Sequence, residues 1–143
     1  MSDGFPPILV AEDDAASKVL VRTYFQHMRL ANPPFFAGST KEAIAFLSRV
    51  VRGEEALPAL ALLDLHLPDG TGLDVIRWMR QRDALVNVPI IMLTGSSESI
   101  DIDEAYSLGV ASYLVKPVGF DALADLLRTL PLPWALTASV TGS

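Results

Sequence analysis

Two kinds of segment alternate along the chain. Short, unbroken apolar runs occupy residues 8–11, 59–63, 88–93 and 111–115, with a weaker candidate at 35–37 behind Pro33 and Pro34. None alternates with polar positions, which predicts strands buried on both faces, as in a parallel sheet. Between the runs, apolar residues recur at helical spacing. Val21, Phe25 and Met28 form one such stripe. A second follows Ser39-Thr40-Lys41-Glu42, whose spacing predicts a capping box in which Ser39 caps a free N–H and Glu42 reaches back to the cap. Its apolar positions are Ala43, Phe46, Leu47, Val50 and Val51, with Gly53 as the stop. A third, Leu73, Ile76 and Met79, follows a Thr71 cap. A fourth, Ile102, Ala105 and Tyr106, lies within a helix expected over about 97–108 that stops at Gly109. Phe120, Leu123, Leu127 and Leu130 form the fifth, before Pro131 and Pro133. Five strand–helix units in succession predict an α/β fold, a doubly wound parallel sheet with helices on both faces. Residues 1–7 read as an N-terminal extension, 8–130 as the domain and 131–143 as a C-terminal tail.

Composition narrows the function. The chain has 143 residues, enough for one ordinary domain, and half of them are hydrophobic. Eleven Lys and Arg against 17 Asp and Glu leave a formal charge of −6, which argues against nucleic acid as a partner. The absence of cysteine excludes a disulfide framework, a thiolate metal site and a cysteine nucleophile. No apolar run reaches the length that spans a bilayer, and the first residues lack the basic and apolar regions of a signal peptide. The expectation is a cytoplasmic protein with no membrane contact.

In open parallel sheets, ligands bind beyond the carboxyl ends of the strands. There the chain places Glu12-Asp13-Asp14, then Asp64, then Thr94-Gly95-Ser96, then Lys116-Pro117. Carboxylates gathered at one edge repel unless a cation neutralises them, and Mg²⁺ suits a few oxygen ligands plus waters. An ammonium and a hydroxyl facing the same place suit phosphoryl oxygens. The implied chemistry is phosphoryl transfer to a carboxylate. Any one of these pieces is as easily a loop cap or a solvated turn. Four strands each ending in the right residue type carry the argument.

With these residues in order, the sequence resembles the receiver domain of two-component response regulators, the CheY-like family. The matching features are Glu12-Asp13, Asp64 within Leu63-Asp64-Leu65-His66-Leu67-Pro68-Asp69-Gly70, Thr94-Gly95, and Lys116-Pro117 three residues after Tyr113. The resemblance covers about residues 8–130. It implies a flavodoxin-like (βα)5 fold with strand order 2-1-3-4-5. It implies Asp64 as phosphoacceptor from a sensor histidine kinase, Asp13 as direct Mg²⁺ ligand, Glu12 as a ligand mainly through water, and the His66 backbone carbonyl as another. Thr94 and Lys116 are then expected on phosphoryl oxygens, Tyr113 as the aromatic switch partner of Thr94, and Lys116-Pro117 as a cis peptide. Gly95 leaves the phosphoryl group accessible. The His66 side chain sits where the family tunes dephosphorylation; His27 reads as a surface residue.

The stretch 49–59, the run from Leu108 to Val118 and the Pro133-Trp134-Ala135-Leu136 segment resemble single-domain regulators paired with phytochromes. That implies a light-regulated histidine kinase as donor, a stand-alone receiver and a homodimer, in which apolar Leu132, Trp134 and Leu136 either fold back or meet a partner. Three rivals stand beside this reading. A flavodoxin-like redox protein needs a hydroxyl- and glycine-rich loop where Glu12-Asp13-Asp14 stands. A Mg²⁺-dependent aspartyl-phosphate phosphatase wants an acidic residue where His66 stands. A phosphorylation-independent pseudo-receiver has no need of the full set Glu12, Asp13, Asp64, Thr94 and Lys116. The expectation is that the chain is no enzyme beyond catalysing its own phosphorylation and dephosphorylation.

Overall fold

The computed structural model describes residues 5–95 and 99–130, the side chains of 99–101 excepted. The apolar runs form strands β1 (Ile8–Ala11), β2 (Pro34–Ala37), β3 (Leu60–Asp64), β4 (Ile90–Thr94) and β5 (Ser112–Val115). Helices α1 (Ala15–His27), α2 (Thr40–Val51), α3 (Gly72–Arg80), α4 (Ser99–Ser107) and α5 (Phe120–Thr129) follow them in turn. The sheet is parallel throughout, in the order β2-β1-β3-β4-β5. This is the doubly wound arrangement that the alternation of segments predicts. A short antiparallel ladder, His66–Leu67 against Gly70–Thr71, closes the loop between β3 and α3.

Every residue of β1, β3 and β4 is buried, which is why their sequences are apolar up to the Asp64 and Thr94 that end β3 and β4. The two-residue period of the strands divides the interior into two cores. Leu9, Ala61, Leu63, Ile90 and Met92 pack with Phe46, Leu47, Ile76, Met79 and Ala105 of α2, α3 and α4. Ile8, Val10, Leu60, Leu62 and Ile91 pack with Val21 and Phe25 of α1 and Leu123 and Leu127 of α5. Full burial of a side chain such as Phe46 or Leu62 contributes about 2–3 kcal/mol.

Two expectations about the helices are corrected. Val51 and Tyr106 belong to the apolar stripes of the sequence but are 43% and 45% exposed. Val51 is the last residue of α2, past the point where Val50 completes its contact with the core, and Tyr106 instead sets its ring edge-on to Tyr113 at 6.1 Å. The helix expected from about residue 97 is described from Ser99; residues 96–98, and the apolar tail residues Leu132, Trp134 and Leu136, lie outside the described residues.

The caps explain the helix starts. Ser39 accepts the Glu42 N–H at 3.0 Å, but the Glu42 carboxylate takes the N–H of Gly38 at 2.6 Å instead of that of Ser39. The displaced half of the box serves the sheet edge. Ile8 N–H donates to Pro33 O and Glu12 N–H to Ala37 O, so 33, 35 and 37 face β1 and 34, 36 and 38 face outward. Pro34 has no N–H and Glu42 occupies that of Gly38, which blunts the edge of β2 against a foreign strand. In α3 the box is complete: Thr71 and Asp74 exchange both bonds. Gly53 (φ 80°) and Gly109 (φ 88°) follow α2 and α4 in the left-handed conformation that glycine adopts at little cost.

Candidate functional site

The carboxyl ends of β1, β3, β4 and β5 bring the expected residues to one edge. Glu12 follows β1 and is fully buried; Asp64 ends β3 at 5% exposure; Thr94 ends β4 at 2%. Asp13 is exposed. Lys116, just past β5, bridges the two buried carboxylates, its Nζ 2.6 Å from Glu12 Oε1 and 3.0 Å from Asp64 Oδ2. The backbone aligns these groups. Leu65 N–H donates to Leu93 O and Lys116 N–H to Thr94 O, both at 2.7 Å, so the phosphoacceptor candidate, the hydroxyl and the ammonium share one hydrogen-bonded rim. His66 N–H donates to Asp64 Oδ1 at 3.3 Å, while the His66 side chain is exposed. The Lys116–Pro117 peptide is cis.

Burial pushes the Glu12 carboxyl up from its ordinary pKa, and the Asp64 charge adds to the rise; the close Lys116 ammonium and the hydrogen bond from Asp14 N–H oppose it without cancelling it. Burial works against the charge of Lys116, yet its close pairing with Glu12, its hydrogen bond to Asp64 and their negative charge outweigh that, so its pKa is raised. Asp14 is held low by the Ser17 N–H and then by the Ser17 hydroxyl, which makes it the N-cap of α1 and leaves Glu12 and Asp13 for the site.

Glu12, Asp13 and Asp64 each offer one oxygen, all within 4.8 Å of one another. Glu12 Oε1 is buried with no hydrogen-bond partner in good geometry among the described residues, although the Lys116 ammonium lies close by. A hard divalent cation fits such a set of oxygen donors, and the exposure of Asp13 leaves room for the waters that Mg²⁺ retains.

Tyr113 on β5 is half-buried. With Leu65, Met92, Thr94, Ile102 and Ala105 it lines a cavity of about 10 Å³, too small for a ring and at the lower limit for one water. A Cβ added at Gly95 meets nothing within 4 Å among the described residues. His27 is exposed, with its ring edge-on to Phe120 at 6.3 Å.

Four residues escape a reading of sequence alone. Asp69 accepts the Thr40 and Lys41 N–H groups at 2.8 and 3.1 Å, pinning the loop after β3 to the start of α2. Gly72 packs against the phosphoacceptor candidate itself: a Cβ there falls 2.5 Å from the Asp64 carbonyl oxygen. Its signal in the sequence is a glycine at the first helical position, where glycine brings no helix stability and so marks a close approach. Arg77 and Arg80 of α3 reach α4 through Glu104 and through the Leu108 and Gly109 carbonyls.

Comparison with known proteins decides the family. The family model described as the response regulator receiver domain matches residues 8–128. The chain belongs to the response regulator receiver family. Among its curated relatives, the probable methanogenesis regulatory protein FilR2 of Methanothrix harundinacea is 33% identical over 86% of this chain and 77% of its own. Response regulator Rcp1 of Synechocystis is 29% identical over 98% of both chains. The receiver also spans about half the length of some transcriptional regulators it matches, 50% in the case of GltR of Pseudomonas aeruginosa. Among solved structures, the bacteriophytochrome response regulator RtBRR superposes with a TM-score of 0.83 at 34% identity, covering 96% of this chain and 84% of that one. Rcp1 in its Mn²⁺-bound form superposes with a TM-score of 0.73 at 29% identity, covering 87% and 88%. This receiver therefore has phytochrome response regulators among its structural neighbours, and its acidic cluster lies in a fold of which one relative is known with a divalent metal. No helix among the described residues is long and apolar enough to cross a membrane.

Proposed function

We propose that this receiver is a cytoplasmic response regulator of the Rcp1 type that takes a phosphoryl group on Asp64 from a sensor histidine kinase of the phytochrome class. The observation that carries the reading is the Lys116 ammonium held between buried Asp64 and buried Glu12, beside the exposed carboxylate of Asp13. An Asp64 oxygen attacks phosphorus, the P–N bond of the donor phosphohistidine breaks, and its electron pair returns to the imidazole. Lys116, already paired with Asp64 Oδ2, stays beside the new phosphoryl oxygens and exchanges a carboxylate partner for a phosphoryl one. Thr94 donates its hydroxyl to another oxygen. Glu12, Asp13, Asp64 and the His66 backbone carbonyl would hold Mg²⁺, which neutralises the carboxylate and phosphoryl charge when bound.

The signal follows from packing. The cavity between Thr94 and Tyr113 has no room for the Tyr113 ring, so inward movement of Tyr113 requires Thr94 or Ile102 of α4 to give way. Modification at Asp64 supplies that displacement through Thr94, and the α4–β5 surface changes as a result. The phytochrome kinase as donor is supported by the likeness to RtBRR and to Rcp1. The receiver catalyses only its own phosphorylation and dephosphorylation. A homodimer is part of the same reading; the apolar residues Leu132, Trp134 and Leu136, which that reading has either fold back or meet a partner, lie outside the described residues.

Intact-protein mass after incubation with acetyl phosphate tests the proposal. The expected result is one phosphoryl adduct that needs Mg²⁺ and is abolished in Asp64→Asn. No adduct under conditions that label another receiver would turn the reading to a phosphorylation-independent interaction module.

A further inference from the structure

Helix α4 is held to α3 by two arginines of different character. Its last turn carries no basic residue to meet the carbonyls that a helix leaves unpaired at its C-terminus. Arg80 supplies that charge from α3. Its Nε donates to Leu108 O at 2.9 Å and its Nη2 to Gly109 O at 3.1 Å, while Nη1 donates to Val86 O at 2.7 Å. These partners are all neutral backbone carbonyls, and the Arg80 side chain meets no carboxylate among the described residues. One turn earlier on α3, Arg77 spans two carboxylates, Asp74 on its own helix and Glu104 on α4. That contact is open to solvent: the Arg77 and Glu104 side chains are 43% and 38% exposed. One attachment is therefore to neutral acceptors, the other to a charged one and dependent on charge.

Their positions differ as well. Glu104 lies four residues before Leu108, about 6 Å along the helix, and Ile102 about 9 Å, on the wall of the cavity it shares with Thr94 and Tyr113. We propose that Arg77 and Arg80 are positioning residues for this receiver's response: Arg80 fixes the C-terminal end of α4 as a pivot, and the Arg77–Glu104 pair is a latch that holds Ile102 against Thr94 and Tyr113 until Asp64 is modified. The inference rests on the phosphorylation reading for its consequence, though the latch itself is a property of the unmodified protein.

The test measures α4 without phosphorylation and labelling with it, on the full chain. In Mg²⁺-free wild type, Glu104→Gln, Arg77→Gln and Arg77→Lys, hydrogen exchange is followed through α4. Both Gln variants are expected to speed exchange in the part of α4 before Glu104 by about two- to five-fold, the range of a solvated ion pair. Exchange at Leu108, Gly109 and Val110 stays as in wild type, and Arg77→Lys, which keeps the charge, restores most of the protection. Glu104→Gln leaves Asp74–Arg77 intact, so an equal effect from both Gln variants assigns it to the interhelical pair. High salt is expected to bring wild type to the level of Glu104→Gln and to leave that variant unchanged. Acetyl phosphate labelling accelerates in the Gln variants by a similar factor. Unchanged exchange in both Gln variants, in a wild type that labels normally, overturns the latch. A wild type that takes no phosphoryl group while its α4 exchange responds as described overturns the proposed function and leaves the latch standing.

Discussion

With the Lys116 ammonium 2.6 Å from Glu12 and 3.0 Å from Asp64, two buried carboxylates are compensated before any metal binds. Lys116→Met leaves them facing each other, a change expected to destabilise the metal-free protein by about 2–4 kcal/mol. Mg²⁺ then supplies the missing charge. Thermal unfolding with and without Mg²⁺ should show a larger gain in the variant than in wild type. At Gly72, an added Cβ meets the Asp64 carbonyl oxygen at 2.5 Å, and backbone must shift to admit it. Gly72→Ala is expected to cost about 1–3 kcal/mol in denaturant unfolding and to slow labelling of Asp64. Asp69 has its carboxyl held below the ordinary range, first by the Thr40 N–H and also by that of Lys41. A depressed folded pKa adds stability that is complete above the ordinary value, about 3.9, and is lost as pH falls through the folded value. The melting-temperature gap between wild type and Asp69→Asn should therefore be widest above pH ~5 and close as the solution becomes strongly acidic. Glu12, Asp64, Thr94 and Lys116 were legible in the sequence because each closes or follows a strand at the same sheet edge. Gly72 and Glu104 were not, since their roles come from contacts with Asp64 and Arg77, which adjacency in the chain does not reveal.

Among the elements, α2 and α3 announce themselves twice, by an apolar stripe and by a cap. Ser39→Ala removes the acceptor for the Glu42 N–H and is expected to cost about 1 kcal/mol in thermal unfolding, with the Glu42–Gly38 bond retained. The strands were legible as apolar runs but their limits shift by a residue or two. β3 runs through Asp64 because its ladder continues to Leu93, although the apolar run stops at Leu63. β4 begins only at Ile90, since Pro89 has no N–H to give the ladder. The weakest stripe, that of α4, misled at Tyr106, and the reason is physical. Beside Ala105 in the core, α4 depends on Arg77 and Arg80 of its neighbour, and a pattern of apolar positions within one helix carries no trace of them.

Across the whole molecule, the strand period sorts the interior into an α2–α3–α4 core and an α1–α5 core that meet only through the sheet. All the candidate phosphoryl chemistry stands at one end of that sheet, as an open parallel sheet dictates. The alternation of segments was enough to read this architecture and the edge at which ligands bind. The one-sided link from the site to the surface was not readable. Gly72 lies under the Asp64 carbonyl, Asp74 two residues on closes the cap of the same helix with Oδ2, and its Oδ1 holds Arg77, the partner of Glu104. One helical turn thus touches both the acceptor and α4. Thermodynamic reciprocity follows from such a connection: whatever favours one position of α4 alters the free energy of charge at Asp64 by the same amount that charge at Asp64 alters its own binding. A protein that grips α4 is then more than a reader of the modified state. If Asp64 takes a phosphoryl group as proposed, such a protein would set, in proportion to its affinity, how much of the receiver stays modified, and its abundance would become an input to the signal.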